Sequence, residues 1–341
     1  MEKTATGKKQ RPNRKKILRI ILVCLMLFVI FIFLNNGPLF VKERTGRPFL
    51  VANGALSQPY ITKGLTNQTC VAARMLPPAH PYLENTIASM DAAFKLGADV
   101  VEFDVQSTKD GKFAVFHDWN LDCRTNGKGV TTTYTLAELQ KLDIGYGYTA
   151  DGGKTFPFRG KGIGLMPSLE EVLKAFPDRP LRVDIKSDNY QEGVRLADIL
   201  SALPAPFQKL LTVEGGDQPI DAVHQQLPQM RVVSKAIIQN CVLQYVAIGW
   251  TGYVPPACRN IELQLPDKVA PWLWGWPNRF LDRMDAHNTR VVLVQGNGTQ
   301  DFSSGFDTPG DLKNLPTGYD AGIWTNRIDQ IAPVIHPKSY K

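Results

Sequence analysis

Ile20 to Leu34 is apolar without a break, and no other stretch constrains the chain so strongly. Ile17 and Leu18 lengthen the run past Arg19, whose stem can lie along apolar surface with its charge at the headgroups. A helix crossing about 30 Å of hydrocarbon needs about 20 residues, with roughly 17 as the lower bound. The run therefore divides the chain into a basic tail (1–16), a transmembrane signal anchor (17–35), a linker (36–66) and a folded body (67–341). Lys3, Lys8, Lys9, Arg11, Arg14, Lys15, Lys16 and Arg19 stand against Glu2 alone, which accounts for the whole net charge of +7. Positive charge before the span places the N-terminus in the cytoplasm and the body outside it. In a bacterium that is the inner membrane and the periplasm. The remainder of the chain is neutral overall, so the body lacks the basic excess expected of a nucleic-acid partner, and none is expected.

A cleaved signal peptide is the competing reading. Asn35-Asn36-Gly37-Pro38-Leu39-Phe40 offers no small-x-small cleavage site, which favours the uncleaved anchor. Cys24 lies inside the span, while Cys70, Cys123, Cys241 and Cys258 belong to the body. An external location permits disulfides among those four. Their spacing fits no metal-type C-x-x-C, and their pairing stays open.

The body alternates short apolar runs with helical segments. Strands are expected at Val71–Ala73, Asp99–Val105, Phe113–Phe116, Leu181–Ile185, Leu210–Val213, Val232–Ile238, Ile261–Leu265, Val291–Val294 and Ala321–Trp324. Helices are expected at Glu84–Leu96, Leu136–Leu142 and Ser168–Ala175, the last opened by a Ser168/Glu171 capping box. Such alternation predicts an α/β fold, a (β/α)8 TIM barrel preceded by one transmembrane helix. A doubly wound sheet is the alternative, but no Gly-rich loop follows the first expected strand.

In a parallel barrel, chemistry stands at the C-terminal ends of strands. Glu102 and Asp104 fall two apart in Val101-Glu102-Phe103-Asp104-Val105, so both side chains leave the same face. Paired carboxylates repel unless a cation or proton lies between them, and oxygen donors suit Mg²⁺ or Ca²⁺. His117-Asp118 closes the next apolar run, where an imidazole can serve in acid–base work. Asp184-Ile185-Lys186 ends a further strand and puts a carboxylate and an ammonium on one side. Trp272, Trp274 and Trp276 have packing as their ordinary role, with contact to substrate as the alternative.

Glu84-Asn85-Thr86, Gly97 to Val105, Thr108-Lys109-Asp110-Gly111, His117-Asp118, Arg124-Thr125 and Gly129 together resemble the glycerophosphodiester phosphodiesterases. Asp184-Ile185-Lys186 and Gly322 to Arg327 extend the resemblance over about residues 69–335. It implies a TIM barrel that hydrolyses glycerophosphodiesters to an alcohol and glycerol 3-phosphate with a divalent cation. By the same resemblance Glu102, Asp104 and Asp184 are metal ligands, Asp184 standing where the family has Glu. Lys186 faces the phosphate, and His117 is the general acid. The family's first strand ends in His-Arg-Gly, whereas the matching stretch is expected to be Ala73-Arg74-Met75. Arg74 then binds phosphate and Ala73 replaces a catalytic His. Three readings follow: His80 supplies the base, the enzyme is slow without one, or the barrel binds phosphodiesters or an envelope protein without turning anything over.

Overall fold

The computed structural model describes residues 14–39, 41–66, 69–298 and 304–337. Most of the expected basic tail lies outside them. Arg14–Asn36 forms one helix of 23 residues with none buried. At 1.5 Å per residue it is about 35 Å long, enough to cross a bilayer.

Among the described residues nine strands follow: β1 (Phe49–Ala52), β2 (Val100–Ser107), β3 (Phe113–Val115), β4 (Leu181–Ile185), β5 (Leu211–Gly215), β6 (Arg231–Val233), β7 (Glu262–Pro266), β8 (Arg290–Val294) and β9 (Gly322–Thr325). Eight run parallel in the order β6-β5-β4-β2-β1-β9-β8-β7, and β3 pairs antiparallel with β2. β6 and β7 lie side by side, so the sheet nearly closes into the expected barrel. Apolar side chains such as Leu50, Phe103, Val183, Leu211, Leu263 and Ile323 are buried between strands and outer helices. The Thr86 hydroxyl caps the helix Ile87–Leu96, and Gly97 ends it at φ +105°, a left-handed conformation that suits glycine. Ser168 and Glu171 form the expected capping box.

Three expectations are corrected. The supposed linker 36–66 contains β1, a four-residue strand disguised by the turn formers around it, Gly46, Pro48, Asn53 and Gly54. Val71–Ala73 is not a strand: Ala72–Arg74 is a single 3-10 turn, and Ala73 is exposed. Val232–Ile238 divides, because the Ser234 hydroxyl caps a helix from Lys235 to Ile248. Ala73-Arg74-Met75 therefore does not end the first barrel strand. That strand runs into Asn53-Gly54-Ala55.

The part of the connection from β1 to the helix Ile87–Leu96 that spans residues 70–83 packs on residues 114–166. Met75, Leu83, Phe116, Leu121, Leu139 and Tyr148 form a second apolar cluster there. A Cys70–Cys123 disulfide staples the two segments, and Cys241–Cys258 closes the other pair.

Candidate active site

The register of β2 on β4 pairs Glu102 with Arg182 and Asp104 with Asp184. Registered neighbours on parallel strands share a face, so these four side chains converge inside the barrel. Carboxylate oxygens of Glu102, Asp104 and Asp184 lie within 4.8 Å of one another. Lys186 Nζ stands 2.9 Å from Asp184 Oδ2 and 3.3 Å from Asp104 Oδ1. Asn85 braces the group, its amide donating to Asp104 Oδ2 at 2.8 Å while its carbonyl oxygen accepts from Asp104 N at 3.0 Å.

Glu102 is the frustrated member. It is 1% exposed and accepts a hydrogen bond from Gly54 N at 2.7 Å. No Lys or Arg among the described residues reaches it at ion-pair distance. Burial first, then the charges of Asp104 and Asp184, push its pKa well above the carboxylate range. Burial pulls Asp104 the same way, but Lys186, His117 and the Asn85 hydrogen bond outweigh it and its pKa falls. Burial likewise works against the Lys186 ammonium, and Asp184 and Asp104 more than offset it. Three oxygen donors around one point, one of them buried without a counter-charge, fit a hard divalent cation.

Arg182 forms the floor. It is fully buried and reaches Glu214 Oε2 at 2.7 Å through Nε, Glu262 Oε1 at 2.6 Å and Gln264 Oε1 at 3.0 Å. These bonds tie β4, β5 and β7 together across the barrel.

At the rim, His117 Nδ1 lies 2.7 Å from Asp118 Oδ1. Arg124 Nε donates to Asp118 Oδ2 at 3.0 Å, and its Nη1 reaches Glu84 and, at 2.9 Å, the Tyr148 hydroxyl. Burial raises the Asp118 pKa, but Arg124 and His117 prevail and hold it at about 2. The ionised Asp118 favours a proton on Nδ1. Nε2 makes no hydrogen bond among the described residues and is left for chemistry.

The structure thus brings Glu102, Asp104, Asp184 and Lys186 together, and places His117 at the rim against Asp118. Arg74 and His80 make their bonds elsewhere. Arg74 Nη2 donates to Lys63 O at 2.6 Å in its own loop. His80 has both ring nitrogens engaged: Nε2 lies 3.1 Å from Ser57 O, and Nδ1 takes Gln58 Nε2 at 2.9 Å and Tyr82 N at 3.3 Å. Burial lowers its pKa, in keeping with a neutral ring that has no free lone pair.

Sequence reasoning passed over Arg182 and the end of β1, and counted Asn85 only as part of the Glu84-Asn85-Thr86 resemblance. Arg182 had a signal, since it falls two residues before Asp184 on the same strand face. Asn85 had one in its place beside Glu84, although nothing in the sequence joined it to Asp104. The Gly54 contact with Glu102 had none.

The sequence model of the Glycerophosphoryl diester phosphodiesterase family matches residues 74–199. A lysophospholipase D of Homo sapiens, GDPD1, is 35% identical over 262 residues, covering 69% of this chain and 80% of that protein. A glycerophosphodiester phosphodiesterase of Caldanaerobacter subterraneus is 44% identical over 103 residues, 30% of this chain. The chain spans only 39% of that relative's length. The crystal structure of a glycerophosphodiester phosphodiesterase from Agrobacterium tumefaciens superposes with a TM-score of 0.54 at 19% identity. That superposition covers 84% of this chain and 99% of the other, and it speaks for the barrel.

Proposed function

The chain belongs to the glycerophosphoryl diester phosphodiesterase family, and from that premise we propose that it hydrolyses a glycerophosphodiester to an alcohol and glycerol 3-phosphate at the outer face of a membrane. The observation that carries this reading is the convergence of Glu102, Asp104 and Asp184 beside Lys186 at the strand ends. These carboxylates would hold Mg²⁺ or Ca²⁺, which when bound supplies charge neutralisation for the phosphoryl oxygens. Lys186 adds a cation facing the same oxygens. His117, braced by Asp118, is the general acid that gives a proton to the leaving alkoxide from Nε2. Arg124 fixes Asp118, and so the imidazole plane. Residues 17–35 anchor the protein, with the N-terminus in the cytoplasm and the barrel outside. The two disulfides support that placement, because such bonds persist in oxidising compartments.

One observation favours a second reading. β1 ends in Asn53-Gly54-Ala55 where the resembled family has His-Arg-Gly. An Asn53 amide cannot take a proton, and its Nδ2 is committed to Asn326 Oδ1 at 2.6 Å. Gly54 has φ +59°, a conformation that strains an arginine. A barrel lacking that base and that phosphate cation binds a phosphodiester but turns it over slowly.

Release of glycerol 3-phosphate by the full chain in detergent, with Mg²⁺, Ca²⁺ or chelator, separates the two. Metal-dependent release that is lost in His117→Ala establishes the hydrolase. Saturable substrate binding with no release in either metal establishes the binding barrel.

A further inference from the structure

The body carries an apolar stripe that continues the N-terminal helix. On the helix Lys235–Ile248, Leu243 and Val246 are 72% and 50% exposed. With Trp250 they fall at i, i+3 and i+7, one face of a helix and its continuation. Exposed Ala247 lies beside them, and exposed Gln239 and Asn240 end the stripe one turn earlier. Trp250 joins the stripe to the N-terminal helix. Its ring stands 5.3 Å from Phe28 and 6.3 Å from Phe31, both edge-on.

The joint is built from several polar contacts. Asn35 and Asn36 side chains both donate to Trp250 O at 2.8 Å. Arg283 donates to Asn35 O at 2.9 Å and Asn36 Oδ1 at 3.1 Å, and Arg279 donates to Gly37 O at 3.0 Å. Depth along the helix is therefore depth on the body. Phe31 and Phe28 lie four and seven residues before Asn35, about 6–10 Å along the axis. A ring touching both sits below the helix end, where a spanning helix is surrounded by lipid.

We propose that Leu243, Val246, Ala247 and Trp250 form a bilayer-docking face that seats the barrel in the outer-leaflet interface beside its own anchor. The proposal rests on the anchor reading of residues 17–35. A tryptophan at the boundary of a span and a flanking apolar helix face is the arrangement that interfacial docking favours. The barrel then lies on the membrane with a fixed orientation.

The test uses the full chain in lipid nanodiscs with single nitroxide labels. One label is placed on native Cys24, the cysteine outside the two disulfides. Others are placed at Leu243→Cys, Val246→Cys and Lys174→Cys in a Cys24→Ser background, position 174 being an exposed control. Collision with lipid-soluble oxygen is compared with collision with an aqueous nickel chelate. The expected oxygen-to-nickel ratio is several-fold higher at 24, 243 and 246 than at 174. A high ratio at 24 with the 243 and 246 ratios equal to that at 174 overturns the docking face and keeps the anchor. A low ratio at 24 overturns the anchor itself. Labels at 243 and 246 shielded from both reagents mean a protein covers the stripe, which also overturns the proposal.

Discussion

Asp118→Asn separates the charge of Asp118 from its shape. In the folded chain Asp118 accepts from His117 and Arg124 and is 14% exposed. Its pKa falls from 3.8 to about 2, the pull of Arg124 and His117 outweighing burial. A tenfold change in an ionisation constant corresponds to about 1.4 kcal/mol, so the ionised form contributes about 2 kcal/mol to stability. The sign follows from the depression. The stability is fully present above the unfolded pKa of 3.8 and is lost as pH falls through about 2. The amide variant lacks it at every pH. Urea denaturation of the full chain in detergent, followed by tryptophan fluorescence, should show the variant less stable by about 2 kcal/mol at pH 7. The gap should be roughly half as large near pH 3 and nearly closed at pH 2. A variant as stable as the parent at pH 7, or a gap constant down to pH 2, would refute the assignment of that energy to the carboxylate charge.

Arg124→Met should be worse, about 3–5 kcal/mol by thermal unfolding, since it leaves Glu84 and Asp118 buried without their cation. A loss under about 1 kcal/mol would mean water already solvates both carboxylates. Asn53→His puts a proton acceptor at the end of β1, and turnover measured as glycerol 3-phosphate release should rise about 10²-fold or more. No rise in a variant that still binds substrate would mean that position carries no base in this barrel. Removing the Cys70–Cys123 staple by paired Ser substitutions opens a loop of 53 residues, worth about 4 kcal/mol of chain entropy. The same change at Cys241–Cys258, over 17 residues, should cost about 3 kcal/mol. Equal midpoints for parent and variants in denaturant would count against both values.

What the sequence disclosed, and what it hid, follows from how far each signal reaches along the chain. Glu102 and Asp104 were legible because a carboxylate inside a run of Val and Phe has no structural reason to be there, and the strand period fixes its face. The Ser168/Glu171 box was legible because a cap is closed within four residues. β1 was not legible. Four residues, Phe49–Ala52, gain strand conformation only from β2 on one side and β9, some 270 residues later, on the other. Val71-Ala72-Ala73 looked as good by local pattern, but its neighbours turn it: Thr149 N donates to Ala72 O, and Met75 bridges to Tyr60. That single misplacement reached the site, since Ala73 was matched to the family's His on the expectation that its run was the first strand. Placed correctly, the strand end brings Gly54 N onto Glu102 and Asn53 onto Asn326. The cluster then has its three carboxylates and Lys186, with His117 braced by Asp118 at the rim. The two side chains expected to serve there are engaged elsewhere: His80 has both ring nitrogens bound, and Arg74 is held by Lys63 O in its own loop.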